Sequence, residues 1–372
     1  MNSKVALARC DDYDPLKVQA AVRRAVDLAG GIAGFIKPGS RVLVKPNLLM
    51  AKEPEFGITT HPEVVRAAVK LLKEINCSVM IGDGPSVWGG IAEKVDEVYT
   101  ATGMRRIAEE EKVTLVKFQN WRWRKDFSLT NWLDDCDYIV SIPKFKTHGL
   151  TTLSGAVKNL YGLVSVNHKT ELHRKYFKPE EFSRILVDIY QEARPALTII
   201  DGVIAMEGNG PGTSGTLREA GLIAAGSDCA ALDGALSLVM GLEPEAVGTN
   251  KEAAKRGLGV IDKEKIDFVG DPLAAFIREP FKLPGNSILN KIPGPVVKII
   301  KHYLRFYPCV GHNVCTKCLT CVKACPNQAV SFKKGRIEID RSKCISCFCC
   351  QESCPVNAIS AKKSLLAKLI GL

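Results

Sequence analysis

Short apolar runs separated by amphipathic stretches set the rhythm of this chain from its start to about residue 270. Residues 4–10 read as a short strand, and Asp14-Pro15 opens a helical pattern with Val18, Ala21, Val22, Ala25, Val26 and Leu28 on one face. Residues 41–45 predict a buried strand halted by Pro46, which has no N–H to extend a ladder. His61-Pro62 starts a helix to Ile75, and residues 78–82 form the next strand. Further on, residues 91–111 read as helix and 113–118 and 138–142 as strands. Pro179-Glu180-Glu181 begins a helix to Arg194, and residues 196–200 form a strand ending at Asp201-Gly202. Residues 221–225 are another strand, Ser227-Asp228 caps a helix to Met240, and 265–270 is the last strand. Strands alternating with helices at this spacing argue an α/β fold: a mostly parallel sheet with helices on both faces, over residues 1–272.

The rhythm then breaks. Residues 273–308 read as a linker; the part from 281 carries Pro284-Gly285, Pro293-Gly294-Pro295, five Lys or Arg, no acid, and one short basic helix near 296–305. Residues 309–360 hold a doubled cysteine run, Cys315-x2-Cys318-x2-Cys321-x3-Cys325-Pro326 and, 29 residues on, Cys344-x2-Cys347-x2-Cys350-x3-Cys354-Pro355. This is a bacterial-type two-cluster ferredoxin pattern, in a small α+β domain, in which the fourth thiolate of each run crosses to the other cluster. The expected sets are Cys315, Cys318, Cys321 and Cys354 for one [4Fe–4S] cluster, and Cys344, Cys347, Cys350 and Cys325 for the other. Zinc has no use for three close thiolates plus a crossed fourth. A disulfide framework fits poorly because nothing marks the chain for export. Residues 361–372 form a small amphipathic tail, expected to pack on the body; contact with a membrane surface is the lesser reading.

Ten of the fourteen cysteines lie between Cys309 and Cys354. The other four, Cys10, Cys77, Cys136 and Cys229, are scattered as reduced core thiols of a cytoplasmic protein would be. No apolar run is long enough to span a bilayer. The formal net charge of +11 would suit nucleic acid or anionic ligands. No nucleic-acid-binding motif accompanies it, so nucleic acid is not the expected partner.

In open α/β sheets ligands bind outside the carboxyl ends of the strands. Four predicted strands end in polar residues beside turn-makers: Lys45-Pro46-Asn47, Gly82-Asp83-Gly84-Pro85-Ser86, Pro143-Lys144-Phe145-Lys146-Thr147-His148, and Asp201-Gly202. Plain turn chemistry explains any one of them; four together argue a site. With Lys158 and Asn159 of the following stretch, Lys45, Lys144 and Lys146 would form a cationic pocket for carboxylate or phosphate groups. Lys144, Lys158 and His148 are the candidate catalytic residues; Lys45, Asn47, Asp83, Lys146, Asn159 and Asp201 are the candidate substrate-binding ones. His148, His168 and His173 lack a metal spacing. The Gly-rich stretch 206–215 holds a formal Gly-x-Gly-x-x-Gly but opens no helix, so it reads as a loop lining the crevice.

These stretches, with Ser154-Gly-Ala-Val-Lys-Asn159, Gly162 and Glu207-Gly-Asn-Gly-Pro211, resemble the family catalogued as domain of unknown function 362, whose members often carry a C-terminal two-cluster ferredoxin domain. The resemblance implies an iron–sulfur protein of anaerobic or redox metabolism, without a settled reaction. Cys309 and Cys349 depart from the pattern. Two functions compete: an iron–sulfur oxidoreductase passing single electrons to an anionic substrate or cofactor at the strand ends, and a non-catalytic electron carrier whose large domain docks a redox partner protein. A flavin or divalent metal is compatible with the crevice, but nothing in the sequence indicates either.

Overall fold

The computed structural model describes residues 3–85, 92–284 and 306–363. Ser86, the basic helix expected near 296–305 and the tail from 364 onward lie outside the described residues. The large domain contributes strands β1 (Ser3–Arg9), β2 (Arg41–Pro46), β3 (Ser78–Ile81), β4 (Thr114–Leu115), the hairpin β5 (Trp121–Arg124) and β6 (Phe127–Thr130), β7 (Tyr138–Ile142), β8 (Lys144–His148), β9 (Thr152–Ser154), β10 (Leu197–Gly208), β11 (Gly215–Gly226) and β12 (Ile266–Gly270). Outside the separate hairpin they make one sheet in the order β12-β1-β11-β10-β7-β2-β3-β4, with β8 on β10 and β9 on β8.

The sheet is mixed, with most pairs parallel. Strand β11 runs antiparallel to β1 and β10. The Gly-rich stretch expected to line the crevice is the turn between β10 and β11, and so short a connection can only return the chain antiparallel. Asp201-Gly202, which reads as a turn, had hidden the second half of β10, whose register shifts between Gly202 and Ile204. The expected helix over 91–111 is two, Ala92–Ala101 and Met104–Glu111, broken where Gly103 takes φ 76°.

Alternation along each strand separates two cores. Val5, Leu7 and Leu43 face one core with Phe182 and Leu186 of the helix Pro179–Ala193 and Leu232 of Cys229–Val239. Ala6, Val42 and Val44 face the other with Val22 of the helix Pro15–Ala29 and Val65 and Leu72 of Pro62–Glu74. Side chains set the helix starts: Asp14 accepts from the N–H groups of Leu16 and Lys17, and Asp228 from those of Ala230 and Ala231. The first residues of the expected linker lie against the large domain: Phe281 is buried 5.0 Å from the ring of Phe145, and Gly208 N donates to Lys282 O at 2.6 Å.

The C-terminal domain has two antiparallel pairs: β13 (Phe306–Val310) with β16 (Ile359–Lys363), and β14 (Val330–Lys333) with β15 (Arg336–Ile339). The doubled cysteine spacing is matched in the backbone. Lys317 and Ser346, Leu319 and Phe348, and Gln328 and Asn357 all take positive φ, each pair 29 residues apart. Short helices, Thr320–Ala324 and Cys349–Glu352, follow Leu319 and Phe348.

Candidate functional site

The largest departure from the sequence reading positions the site. Residues 144–148, read as a turn after a strand, are themselves strand β8, buried along its whole length. Alternating Lys and His hide such a strand from a hydrophobicity reading, yet they place Lys144, Lys146 and His148 on one face while Phe145 enters the core. Strand β8 pairs with β10 at Lys144–Asp201 and Lys146–Met206, beside the ends of β2 and β3.

Five candidate binding residues form one hydrogen-bonded chain. Lys146 Nζ donates to Asn47 Oδ1 at 2.7 Å and to the carbonyl of Ile58 at 2.6 Å. Asn47 Nδ2 donates to Asn159 Oδ1 at 3.1 Å, which also accepts from Lys45 Nζ at 3.3 Å. Lys45 Nζ lies 2.7 Å from Asp83 Oδ1, both side chains buried. Asp83 Oδ2 accepts from Leu48 N at 2.8 Å, and Asn159 Nδ2 donates to Ser141 Oγ at 2.9 Å.

Lys144 and Asp201 belong to a second network. Lys144 Nζ lies 3.0 Å from Asp201 Oδ2 and 2.5 Å from Tyr13 Oη. Tyr13 donates to Asp201 Oδ1 at 2.7 Å, and Asp201 Oδ2 also accepts from His61 N at 2.8 Å. The rings of Tyr13 and His61 stack at 3.6 Å. Lys144 is thus committed to Asp201, so the four lysines do not act as one pocket. Tyr13 and His61 lacked any sequence signal beyond lying beside a helix start.

Of the lysines around this crevice, those with no carboxylate in ion-pair contact among the described residues are Lys146, Lys158 and one the sequence reading missed, Lys169, which donates to the carbonyls of Gly84 at 2.6 Å and Gly162 at 3.3 Å. Burial, reinforced by Lys158 and Lys144, pushes Lys146 well below the ordinary lysine range. Burial also lowers Lys158 and takes Lys169 down to about 7. Lys158 sits on the short helix Ala156–Asn159, whose first N–H groups donate to the buried carboxylate of Asp233 at 2.6 and 3.0 Å. His148 accepts from Leu150 N at 3.0 Å through Nδ1, and its buried Nε2 has no hydrogen-bond partner among the described residues.

The acid that approaches this group comes from the C-terminal domain. Glu352, on the helix that carries Cys350, brings Oε1 to 3.5 Å from His148 Nε2 and lies within the electrostatic reach of Lys158 and Lys146. Burial raises its carboxyl to about 7 against the pull of those lysines. The Gly-rich turn grips the same domain: Thr213 Oγ1 donates to Cys354 O at 2.9 Å and Ser214 bonds Asn357. A Cβ at Gly212 would lie 2.9 Å from Glu352 O, so glycine there permits the close approach.

Cys315, Cys318, Cys321 and Cys354 line one cavity; Cys325, Cys344, Cys347 and Cys350 line another. Cys354 accepts from Ala358 N and Cys325 from Ala329 N, each at 3.1 Å, the same bond in both halves. Among the described residues no group of three His, Cys, Asp or Glu could hold a single metal ion; a four-iron cube needs its thiolates spread around a larger body, and both cages fit that need. Cys309, opposite Ser360, and the buried Cys349 belong to neither set.

A mixed α/β domain docked on a cysteine-caged domain defines an iron–sulfur protein, and residues 314–358 match the 4Fe-4S dicluster domain. The chain belongs to the family described as Domain of unknown function (DUF362), whose model matches residues 42–237. It is 32% identical over 310 residues to the thylakoid-associated protein sll1697 of Synechocystis sp., covering 80% of this chain and 90% of that one. The structure of the lactate racemase apoprotein from Thermoanaerobacterium thermosaccharolyticum is similar at a TM-score of 0.37 and 15% identity, over 64% of this chain and 57% of that one. Among the described residues no helix is long and apolar enough to cross a membrane.

Proposed function

We propose that this protein passes single electrons through two [4Fe–4S] clusters, held in the two cysteine cages, to an anionic substrate or cofactor at the strand ends of the α/β domain. The observation that carries this reading is Glu352: the helix that supplies a thiolate to the second cage also reaches the crevice of His148, Lys146 and Lys158. When bound, the clusters supply one-electron chemistry. The residues of the chain do the rest. Lys146, the half-buried Lys158 and the Nε2 of His148 are donors that an incoming anion satisfies, returning the lysines toward their ordinary pKa. Lys45 with Asp83 and Lys144 with Asp201 brace the walls, and Asn47 and Asn159 link Lys45 to Lys146. The exposure of Cys318 leaves the first cage open to a donor protein.

Anaerobically prepared protein should carry about eight irons with matching sulfide. After reduction, its reoxidation by small carboxylated acceptors should slow by about tenfold in Lys158→Ala, the equivalent of about 1.4 kcal/mol. Reoxidation by a protein acceptor should be unchanged in that variant. If Lys158→Ala leaves carboxylated acceptors as fast as before, the crevice is not the acceptor site and the chain is a carrier alone.

A further inference from the structure

A further cavity adjoins the lysine crevice through Glu352 and the first cysteine cage through Thr320 and Pro355. It lies where the two domains meet and measures about 260 Å³. The loop after β2 and the helix Ala92–Ala101 build one side, and the C-terminal domain builds the other. It therefore exists only because the domains are docked.

Thr320 and Pro355 line both this cavity and the cage of Cys315, Cys318, Cys321 and Cys354. The wall between them is one residue thick, and Thr320 Oγ1 lies 3.3 Å from Cys318 Sγ. A molecule in the cavity would sit against the first cage, with no side-chain layer to cross beyond those two residues.

The chemistry of the lining differs from that of the crevice. Leu49, Met50, Val98 and Pro355 supply apolar walls. Lys94 shares the lining with Glu97 and Glu352, so the lining carries no excess of positive charge and disfavours an anion. Lys94 is a donor suited to a carbonyl oxygen. The volume falls just below the range of about 300–1,000 Å³ usual for small-molecule sites, which suits one or two fused rings.

We propose that this interdomain cavity binds a quinone, a flat uncharged ring bearing carbonyl oxygens, and that electrons leave the first cage here. The inference rests on the reading that the cages hold clusters. The electrons balance: clusters held by the two cysteine sets and recharged by an external donor protein would supply one electron each. With two protons from water these convert quinone to hydroquinone.

The test uses the full chain with its clusters and menadione (2-methyl-1,4-naphthoquinone) as the probe. Equilibrium dialysis against oxidised protein should show saturable binding of one menadione per chain, independent of electron transfer. Ala51, exposed at the cavity rim, can take a larger side chain without entering the core, and Ala51→Trp should weaken binding about tenfold. Lys94→Ala should weaken it in the same direction, and 1,4-naphthoquinone-2-sulfonate, the charged analogue, should bind less well than menadione. In reduced protein, menadione should abolish the paramagnetic signal of the clusters and yield one hydroquinone per two clusters. Absence of saturable binding, or equal binding by Ala51→Trp, overturns the inference. Iron and sulfide counted on the same samples separate the two readings: iron-replete protein that ignores menadione sinks this one alone, whereas iron-free protein sinks the cluster reading.

Discussion

Replacing Asp83 by Asn should show how much of the crevice is held by charge. Lys45 is 0% and Asp83 3% exposed, and they lie 2.7 Å apart. Burial already holds Lys45 below its ordinary pKa, and Asp83 is the group that opposes this. Removing one partner of such a buried pair costs about 3–5 kcal/mol, because the other charge stays without compensation. Asn retains a carbonyl that can accept from Leu48 N; Asp83→Ala loses that bond too, a further 1–3 kcal/mol or so. Against a total stability of about 5–15 kcal/mol, Asp83→Asn alone removes a large share. Anaerobic urea unfolding followed by tryptophan fluorescence measures it, since all four tryptophans lie within the first 132 residues. Lys45→Met should cost a similar amount, and the double variant Lys45→Met with Asp83→Asn clearly less than the sum. A loss under about 1 kcal/mol for Asp83→Asn, or strict additivity in the double variant, would refute the buried-pair account.

The two adjacent cysteines should behave oppositely. Cys350→Ser should lose about half of the iron and sulfide, while Cys349→Ser, outside both cages, should keep all of it. Lys169 predicts a pH dependence. Its folded pKa of about 7 lies below the ordinary 10.5, so between these values the unfolded chain binds more protons and stability rises with pH. The cost of burying the charged amine is present in full below pH 7 and fades toward 10.5. Stability of the wild type relative to Lys169→Met, from urea unfolding at pH 7 and pH 9.5, should therefore improve at the higher pH; a flat difference would show that Lys169 keeps an ordinary pKa.

Several features of the site could be read from residue order. Lys45-Pro46-Asn47 and Asp83 follow apolar runs, and a strand end beside a turn-maker is a local property. The convergence of Lys45, Asn47, Asp83, Lys146 and Asn159 follows from a parallel sheet, which aligns strand ends on one rim. Strand β8 escaped notice because its Lys and His residues face the crevice and only Phe145 reports burial. Lys169 escaped because it sits on a polar helix, Val166–Lys175, where one lysine among charged neighbours looks solvated. Glu352 could not be found from sequence, since nothing local connects it to His148, 204 positions away.

The sequence by itself determined the doubled cysteine frame, because three cysteines of each expected set are fixed by spacing within a short loop, and the strand-and-helix order, because periodicity is local. Only the tertiary structure decided which lysines are neutralised and which stay without a carboxylate. It also decided that β11 returns antiparallel and that Glu352 meets the crevice. Charge compensation and domain docking depend on distances between residues far apart in the chain, and those distances exist only once the sheet and the cysteine-caged domain have packed together.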